Sequence, residues 1–439
     1  MLKLAAPLAL AELGWMAMGL ADTVMAGPLG AAAVGAGTLG NMVYYPVVVS
    51  GIGLLLGMDT LVAQSFGARD PRDCRRTLIA GAWLGLLLAP PLMLLIWACI
   101  PLLSAAGANP RVMEHCAGYM LALLSSIPAM MAFTALRRYL QAVDIVKPVT
   151  FALVSANLIN LAGDWLLMYG HWGAPRMGLA GSGWSTSMAR LYMAAVLAAA
   201  VWWNERREGH LLRRLSWRPD FARMRQLIGL GLPAAGQIAF EGSIFGVVTV
   251  LVARLDEVSL AAHSIAVQVI STSFMVPLGI SSAAAVRVGQ AVGRKDPAGV
   301  ARAGWTALLL SGLFMGAAGV LLWVAPGGVV RLFIRDLRVV ALGAVLLRIC
   351  AFFELFDGLQ VVSTGALRGV GDTRSPMLVH LVGYWGIGMP VGWVLCFSRG
   401  WGARGIWVGL CLAIVLIGAA LVAVWRKASL RERQRQAVM

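Results

Sequence analysis

Charge is what this chain has least of. Only 13% of its 439 residues are Asp, Glu, Lys or Arg, and only 20 of them are acidic, where a soluble domain carries about a quarter. With a mean hydropathy of +0.79, an ordinary soluble domain is excluded. Alternating apolar and polar residues are also missing, which argues against a membrane barrel. Instead, apolar segments of helical length recur along the chain, and a helix needs about 20 such residues to cross a bilayer. The six cysteines (74, 99, 116, 350, 396 and 411) are dispersed without a CxxC pair, so neither a metal cluster nor a disulfide framework is indicated. No HExxH, P-loop or GxSxG occurs, and the GxG of ALRGVGDT follows an apolar helix rather than a strand. The chain is therefore not expected to be an enzyme or to need a cofactor, and any work it does must draw on an ion gradient. A cleavable leader is not expected either, since Glu12 and Asp22 interrupt the first apolar run.

What is present is a duplication. Gln64, Gly67, Asp70, Pro71 and Arg76 recur as Gln290, Gly293, Asp296, Pro297 and Arg302, each 226 residues later, and Pro7 recurs as Pro233. At an offset of 228, Asp144 and Pro148 match Asp372 and Pro376. The two halves flank one long polar run, Asn204–Arg225, in which seven of twenty-two residues are arginine. The expected fold is all-α: a polytopic membrane protein of twelve transmembrane helices in two six-helix, pseudo-symmetric lobes with a central cleft. Residues 1–203 form the N-terminal lobe, 204–225 a basic cytoplasmic linker, 226–425 the C-terminal lobe and 426–439 a basic cytoplasmic tail. The first span is expected to open at Pro7, as a first-turn proline. Pro90–Pro91 should bend or break the third.

The net charge of +16 follows this topology rather than a nucleic-acid surface. With both termini in the cytoplasm, the inner ends and loops hold twenty-five Lys and Arg and the outer loops eight, the positive-inside signature. The same basic edge would be attracted to anionic lipid headgroups.

Carboxylates inside the hydrocarbon region are costly and mark functional positions. Asp22 in the first span and Asp164 in the fifth lie at similar depth. Asn157, Asn160 and Asp164, at i, i+3 and i+7, share one helical face. In the second half, Gln237 and Glu241 share a face of the seventh span, and Glu354 and Asp357 sit mid-span in the tenth. Desolvation favours a neutral carboxyl, whereas a cation or amide donors favour the carboxylate, so one cluster can exchange H⁺ or Na⁺. Each candidate is weighed against a bracing role between helices. That role is favoured for Glu12 and Asp59, near span ends, and for His263, while Gln268 is kept as a supporting residue. Metal, if any, is a candidate Na⁺ at Glu241 and Asp357 or at Asp22 and Asp164.

These stretches are similar to a known family. ADTVMAG in the first span, AQSFGARD, GLPAAGQIAFEGSIF, the long LAAHSIAVQVISTSFMVPLGISSAAAVRVGQAVG and GALRGVGDTRSP together resemble the MATE (multidrug and toxic compound extrusion) transporters, most closely NorM-like bacterial members. The resemblance covers nearly the whole chain. It implies cation-coupled antiport that expels organic, often cationic, drugs by alternating access, in a monomer. It also implies that Asp22, Asn160, Asp164, Glu241 and Asp357 carry the coupling ion. Two points depart from the NorM pattern: Asp164 often stands as asparagine there, as does Gln268. The alternative is a lipid-linked oligosaccharide flippase of the same general architecture, which would want several cavity arginines. The spans hold few: Arg190, Arg287 and Arg348.

Overall fold

In the computed structural model, residues 1–105, 109–207 and 217–437 are described. Among them there are helices and no strands. Eleven helices are long and apolar enough to cross a membrane, and a twelfth span forms if the bent pair Pro110–Leu124 and Ile127–Ala142 counts as one. In order, the spans are Leu2–Ala26, Ala31–Gly67, Pro71–Ala105, the bent pair, Lys147–Tyr169, Leu179–Arg207, Phe221–Ala253, Glu257–Gly293, Pro297–Val324, Leu337–Val370, Arg374–Ser398 and Ala403–Ala437. The middle of the basic linker, 208–216, lies outside the described residues, as do the last two of the tail. This is a multi-pass membrane protein. Large apolar side chains such as Leu86, Leu94, Leu309 and Leu313 are exposed along the spans, as expected where the neighbour is lipid.

Prolines test local expectations. The first helix begins at Leu2, not at Pro7, because Leu4 and Ala5 already bond the Met1 carbonyl. Pro7 therefore sits more than a turn inside. Pro90 and Pro91 do not break their helix, which runs unbroken over Pro71–Ala105. A transmembrane helix tolerates the lost bonds when neighbours satisfy the freed carbonyls. The fourth span is the one that breaks, with a 46° bend after Leu124. Pro128 has no N–H for the Leu124 carbonyl. The hydroxyls of Ser125 and Ser126 take the carbonyls of Ala122 and Leu123.

The repeated GxxDP loops are one structure used twice. Ala68, Arg69 and Asp70 donate their N–H groups to the carbonyls of Gln64, Phe66 and Ser65, and Arg294, Lys295 and Asp296 do the same to Gln290, Val292 and Ala291. Arg69 and Lys295 both adopt the left-handed region, at φ 58° and 55°. Asp70 and Asp296 then cap the next helix, accepting from the N–H groups of Asp73 and Gly299.

The chain divides into two compact units, 10–235 and 1–9 with 236–439. Both crossing points fall two residues after a repeated proline, Pro7 and Pro233, and they lie 226 residues apart, the offset of the repeat. Each unit thus keeps the opening residues of the other half's first span. Gly53 packs on the Ala235 backbone in one unit, and Gly279 packs on Ala9 and Leu8 in the other.

The unit 10–235 has a core of Met58, Ile96, Met120, Leu123, Met131 and Phe133. It also holds three enclosed ion pairs, Arg75–Glu205, Arg137–Glu12 and Arg138–Asp59, the last at 3.3 Å. Glu12 and Asp59 therefore brace helices. Breaking such a pair is costly, while replacing both members by apolar residues is nearly neutral or stabilising. Arg137→Met alone is expected to cost about 3–5 kcal/mol, read as a fall in melting temperature in detergent. Adding Glu12→Leu should restore most of that loss. Additive losses from the two substitutions would show that the pair is not coupled. Outside the spans, Arg76 donates to Asp220 at 2.5 Å and holds that carboxyl below its usual range. Together with Arg223, which pairs with Asp73, this ties the end of the linker to the first GxxDP loop.

In the other unit, Trp407 stacks on Phe353 at 6.4 Å and Trp425 lies over Gly304. Two stretches of the eleventh span, Leu381–Gly388 and Val394–Ser398, are wound as π-helix, a conformation that is rare and frequent at functional sites.

Candidate functional site

Each unit holds one cluster of enclosed carboxylates. In 10–235, Asp22 on the first span meets Asn160 and Asp164 on the fifth and a hydroxyl face of the sixth, Ser182, Ser185 and Thr186, spaced i, i+3 and i+4. The fifth span is clamped to the first one turn earlier, where the Asn157 amide donates to the Gly14 carbonyl at 3.0 Å. Asn157 accordingly braces the helices beneath the cluster. Asn160 and Asp164 are fully buried. The Asn160 amide donates to Ser185 Oγ at 3.3 Å and Thr186 Oγ1 at 3.4 Å, and Thr186 donates to Asp22 Oδ2 at 3.2 Å. Asp22 and Asp164 face each other within this cluster.

The donors run out before the acceptors do. Asp22 Oδ1, Asn160 Oδ1 and both oxygens of Asp164 are enclosed without a well-aligned protein donor. Buried acceptors are ordinarily paired, so oxygens left in this state suit an acid proton or a hard cation, which prefers oxygen ligands. Beside them opens a cavity of about 50 Å³, lined by Asp22, Thr38, Asn41, Tyr119 and Ser182 among others. On the same scale one water needs about 10–15 Å³. The donor set therefore fits a small, partly hydrated cation or protons.

The second cluster lies in the unit 1–9 with 236–439. Gln360 is its hub: its Nε2 faces Asp357 Oδ1 at 2.8 Å, Tyr384 Oη at 3.2 Å and Glu241 Oε1 at 3.4 Å. Gln237 donates to Glu241 Oε2 at 2.9 Å. The His380 Nδ1–H donates to the Pro376 carbonyl at 2.7 Å, which turns Nε2 toward Glu241 Oε2 at 3.9 Å. Gln360 Oε1 is another enclosed acceptor without a donor. Among the described residues no three His, Cys, Asp or Glu side chains converge as a metal cluster. A cation here would rest on two carboxylates plus amide and phenol oxygens.

The structure thus brings Asp22, Asn160 and Asp164 together, and separately Gln237, Glu241 and Asp357. Glu354 is fully buried, one turn from Asp357, and is held by Ser273 at 3.1 Å and 3.3 Å. Gln268 is exposed and joins neither cluster in this structure. His263 packs against Trp407 and shares a 2.9 Å hydrogen bond with Thr249. Sequence reasoning missed Ser185, Thr186, Gln360, His380 and Tyr384. Spacing offered a signal for one of them, since Gln360 stands i+3 from Asp357.

Comparison with known proteins agrees with this architecture over the whole chain. The family model MatE matches residues 7–166 and 233–394. The "Probable multidrug resistance protein NorM" of Mesorhizobium japonicum is 37% identical over 431 residues, spanning 97% of this chain and 92% of that protein. The protein of the same name from Pseudomonas aeruginosa is 37% identical over 436 residues, spanning 98% and 89%. Among solved structures, one described as MATE in the bent conformation has a TM-score of 0.90 at 17% identity, covering 99% of this chain and 96% of that one. The eukaryotic MATE transporter AtDTX14 has a TM-score of 0.88 at 20% identity, covering 99% and 97%. A family model matched in both halves, and relatives above a third identical along nearly the full length, make this chain a member of the MatE family.

Proposed function

We propose that this protein is a cation-coupled antiporter, driven by H⁺ or Na⁺, that exports organic, often cationic, drugs and toxic compounds by alternating access. It would work as a monomer in the bacterial inner membrane, with both termini cytoplasmic and lipid headgroups along its basic edge. The observation that carries this reading is one enclosed carboxylate cluster in each unit, Asp22 with Asn160 and Asp164, and Glu241 with Asp357, in a chain whose relatives are named multidrug resistance proteins. Asn157 and Gln237 would support the clusters from one turn away, and Glu354 would add a third carboxyl in the second unit. In this mechanism an ion arriving from outside neutralises a cluster and favours the state that releases drug outward. Loss of the ion to the inside restores the charge and favours rebinding of drug from the cytoplasm.

The test is efflux of a fluorescent organic cation from proteoliposomes with the proton and sodium gradients imposed one at a time. Transport is expected under one gradient and not under the other, and the effective gradient names the ion. Transport under neither gradient would sink the antiporter reading.

A further inference from the structure

One contact beside the second cluster is repeated in the first half by a different side chain. The Asn157 amide donates to the Gly14 carbonyl at 3.0 Å. At the repeat offset of 228 Asn157 corresponds to Trp385, and at 226 Gly14 corresponds to Phe240. The Trp385 indole Nε1–H donates to the Phe240 carbonyl at 3.3 Å. The tie between a half's first and fifth spans is thus made twice, by an amide in one unit and by an indole in the other. An enclosed indole N–H needs an acceptor, and any nearby carbonyl would satisfy it. That two unrelated side chains reach the same backbone position shows that the position matters, not the residue type.

What stands beside that position differs between the halves. In the first unit the tie lands eight residues before Asp22, and in the second it lands on the residue before Glu241. The seventh span is weak there, because Gly236, Gly242 and Gly246 surround Glu241 and each glycine costs a helix about 1 kcal/mol relative to alanine. A Cβ at Gly242 or Gly246 would meet nothing, so no packed neighbour stiffens the turn at those points. Trp385 itself comes from the π-wound stretch Leu381–Gly388, whereas the fifth span is α-helical over Lys147–Tyr169. Winding with i→i+5 bonds puts more residues in each turn, so neighbours in sequence lie closer to one face. Tyr384 accordingly reaches Gln360 at 3.2 Å while Trp385 holds the Phe240 carbonyl. His380 and Tyr384 correspond to Ala152 and Ala156 in the first half, so of the three contacts only the tie is shared.

We propose that Trp385 is a positioning residue for the second cluster: by holding the Phe240 carbonyl it fixes the turn from which Glu241 meets Gln237, Gln360 and His380. This rests on the efflux reading above and names what sets ion affinity at that site.

The test reads affinity as the rise in melting temperature of the purified protein with the concentration of the ion that drives efflux. Trp385→Phe keeps a ring and loses the donor. It should weaken the ion midpoint by about fivefold or more, while efflux at saturating ion stays within about twofold of wild type. Trp385→Gln supplies an amide donor, as Asn157 does in the other half, and should bring the midpoint back to within about twofold. A Trp385→Phe protein that melts earlier but keeps the wild-type midpoint makes the residue packing alone and overturns the proposal. So does a Trp385→Gln protein as weak as Trp385→Phe. In the wild type itself, ion binding should slow hydrogen exchange in 238–245 and 382–388 together, at matched intrinsic rates. Slowing in the first stretch without the second overturns the tie even if both variants misfold. A wild type whose stability responds to neither H⁺ nor Na⁺ strikes the cation-coupled reading itself, and the positioning role falls with it.

Discussion

Asp357→Asn is expected to abolish ion-driven efflux while the protein remains folded. Asparagine has the volume of aspartate and keeps a side-chain oxygen for the Gln360 amide, which lies 2.8 Å from Asp357 Oδ1, so packing and that hydrogen bond survive. The substituted amide can neither bind and release a proton nor put a full charge beside a cation. If coupling runs through the second cluster, transport should fall at least tenfold, about 1.4 kcal/mol or more of lost driving interaction, to the level of empty vesicles. The melting temperature in detergent should move by only a few degrees, the usual size for a shift of about 1 kcal/mol. Asp22→Asn and Asp164→Asn, assayed alongside, locate the coupling unit. A variant that loses coupling leaves drug binding intact and drug release independent of the gradient. If Asp357→Asn pumps normally, the second cluster does not carry the coupling ion.

Much of the architecture was legible in the sequence because a bilayer imposes a coarse rule. Each span must be apolar for its full length, so spans can be counted, and the repeat of QxxGxxDP marks where helices stop and restart. That rule says little about how a helix ends or bends. The break after Leu124 depends on Pro128 acting with two serines whose hydroxyls can replace the lost bonds. The two consecutive prolines of the third span, the louder signal, leave their helix continuous. The site divides in the same way. Asp22, Asp164, Glu241 and Asp357 declare themselves because a carboxylate in hydrocarbon violates the hydropathy rule. Gln360, Tyr384, Ser185 and Thr186 violate nothing, yet they supply most of the hydrogen bonds around those carboxylates. A neutral side chain that completes a cluster across two helices becomes visible only when the helices are placed. Gln268 shows the converse, a polar residue on a favoured stretch whose face turns away from the clusters.

Gly53→Ala and Gly279→Ala should destabilise the protein by matching amounts, and the leucine variants should destabilise it far more. In an exposed helix interior, glycine to alanine gains up to about 1 kcal/mol. Here the sign reverses. A Cβ at Gly53 would sit 2.6 Å from the Ala235 Cα, and one at Gly279 would sit 2.5 Å from the Ala9 Cα, with backbone rather than a flexible side-chain end as the obstacle. The helices would have to separate, and overpacking of this kind costs about 1–3 kcal/mol, exceeding the propensity gain. Leucine adds four carbons where there is no room for one. Gly316 faces open space on the ninth span, so Gly316→Ala should be neutral or mildly stabilising and serves as the internal control. The two sites are equivalent by sequence, 226 residues apart, and by contact, since each receives the opening residues of the other half's first span. Small residues let backbones approach closely where the surrounding lipid gives no hydrophobic drive to association. Thermal unfolding in one detergent, with all five variants side by side, measures the effect. A Gly53 variant that melts early beside a Gly279 variant that melts normally would show that the sequence repeat is not a repeat of the packing.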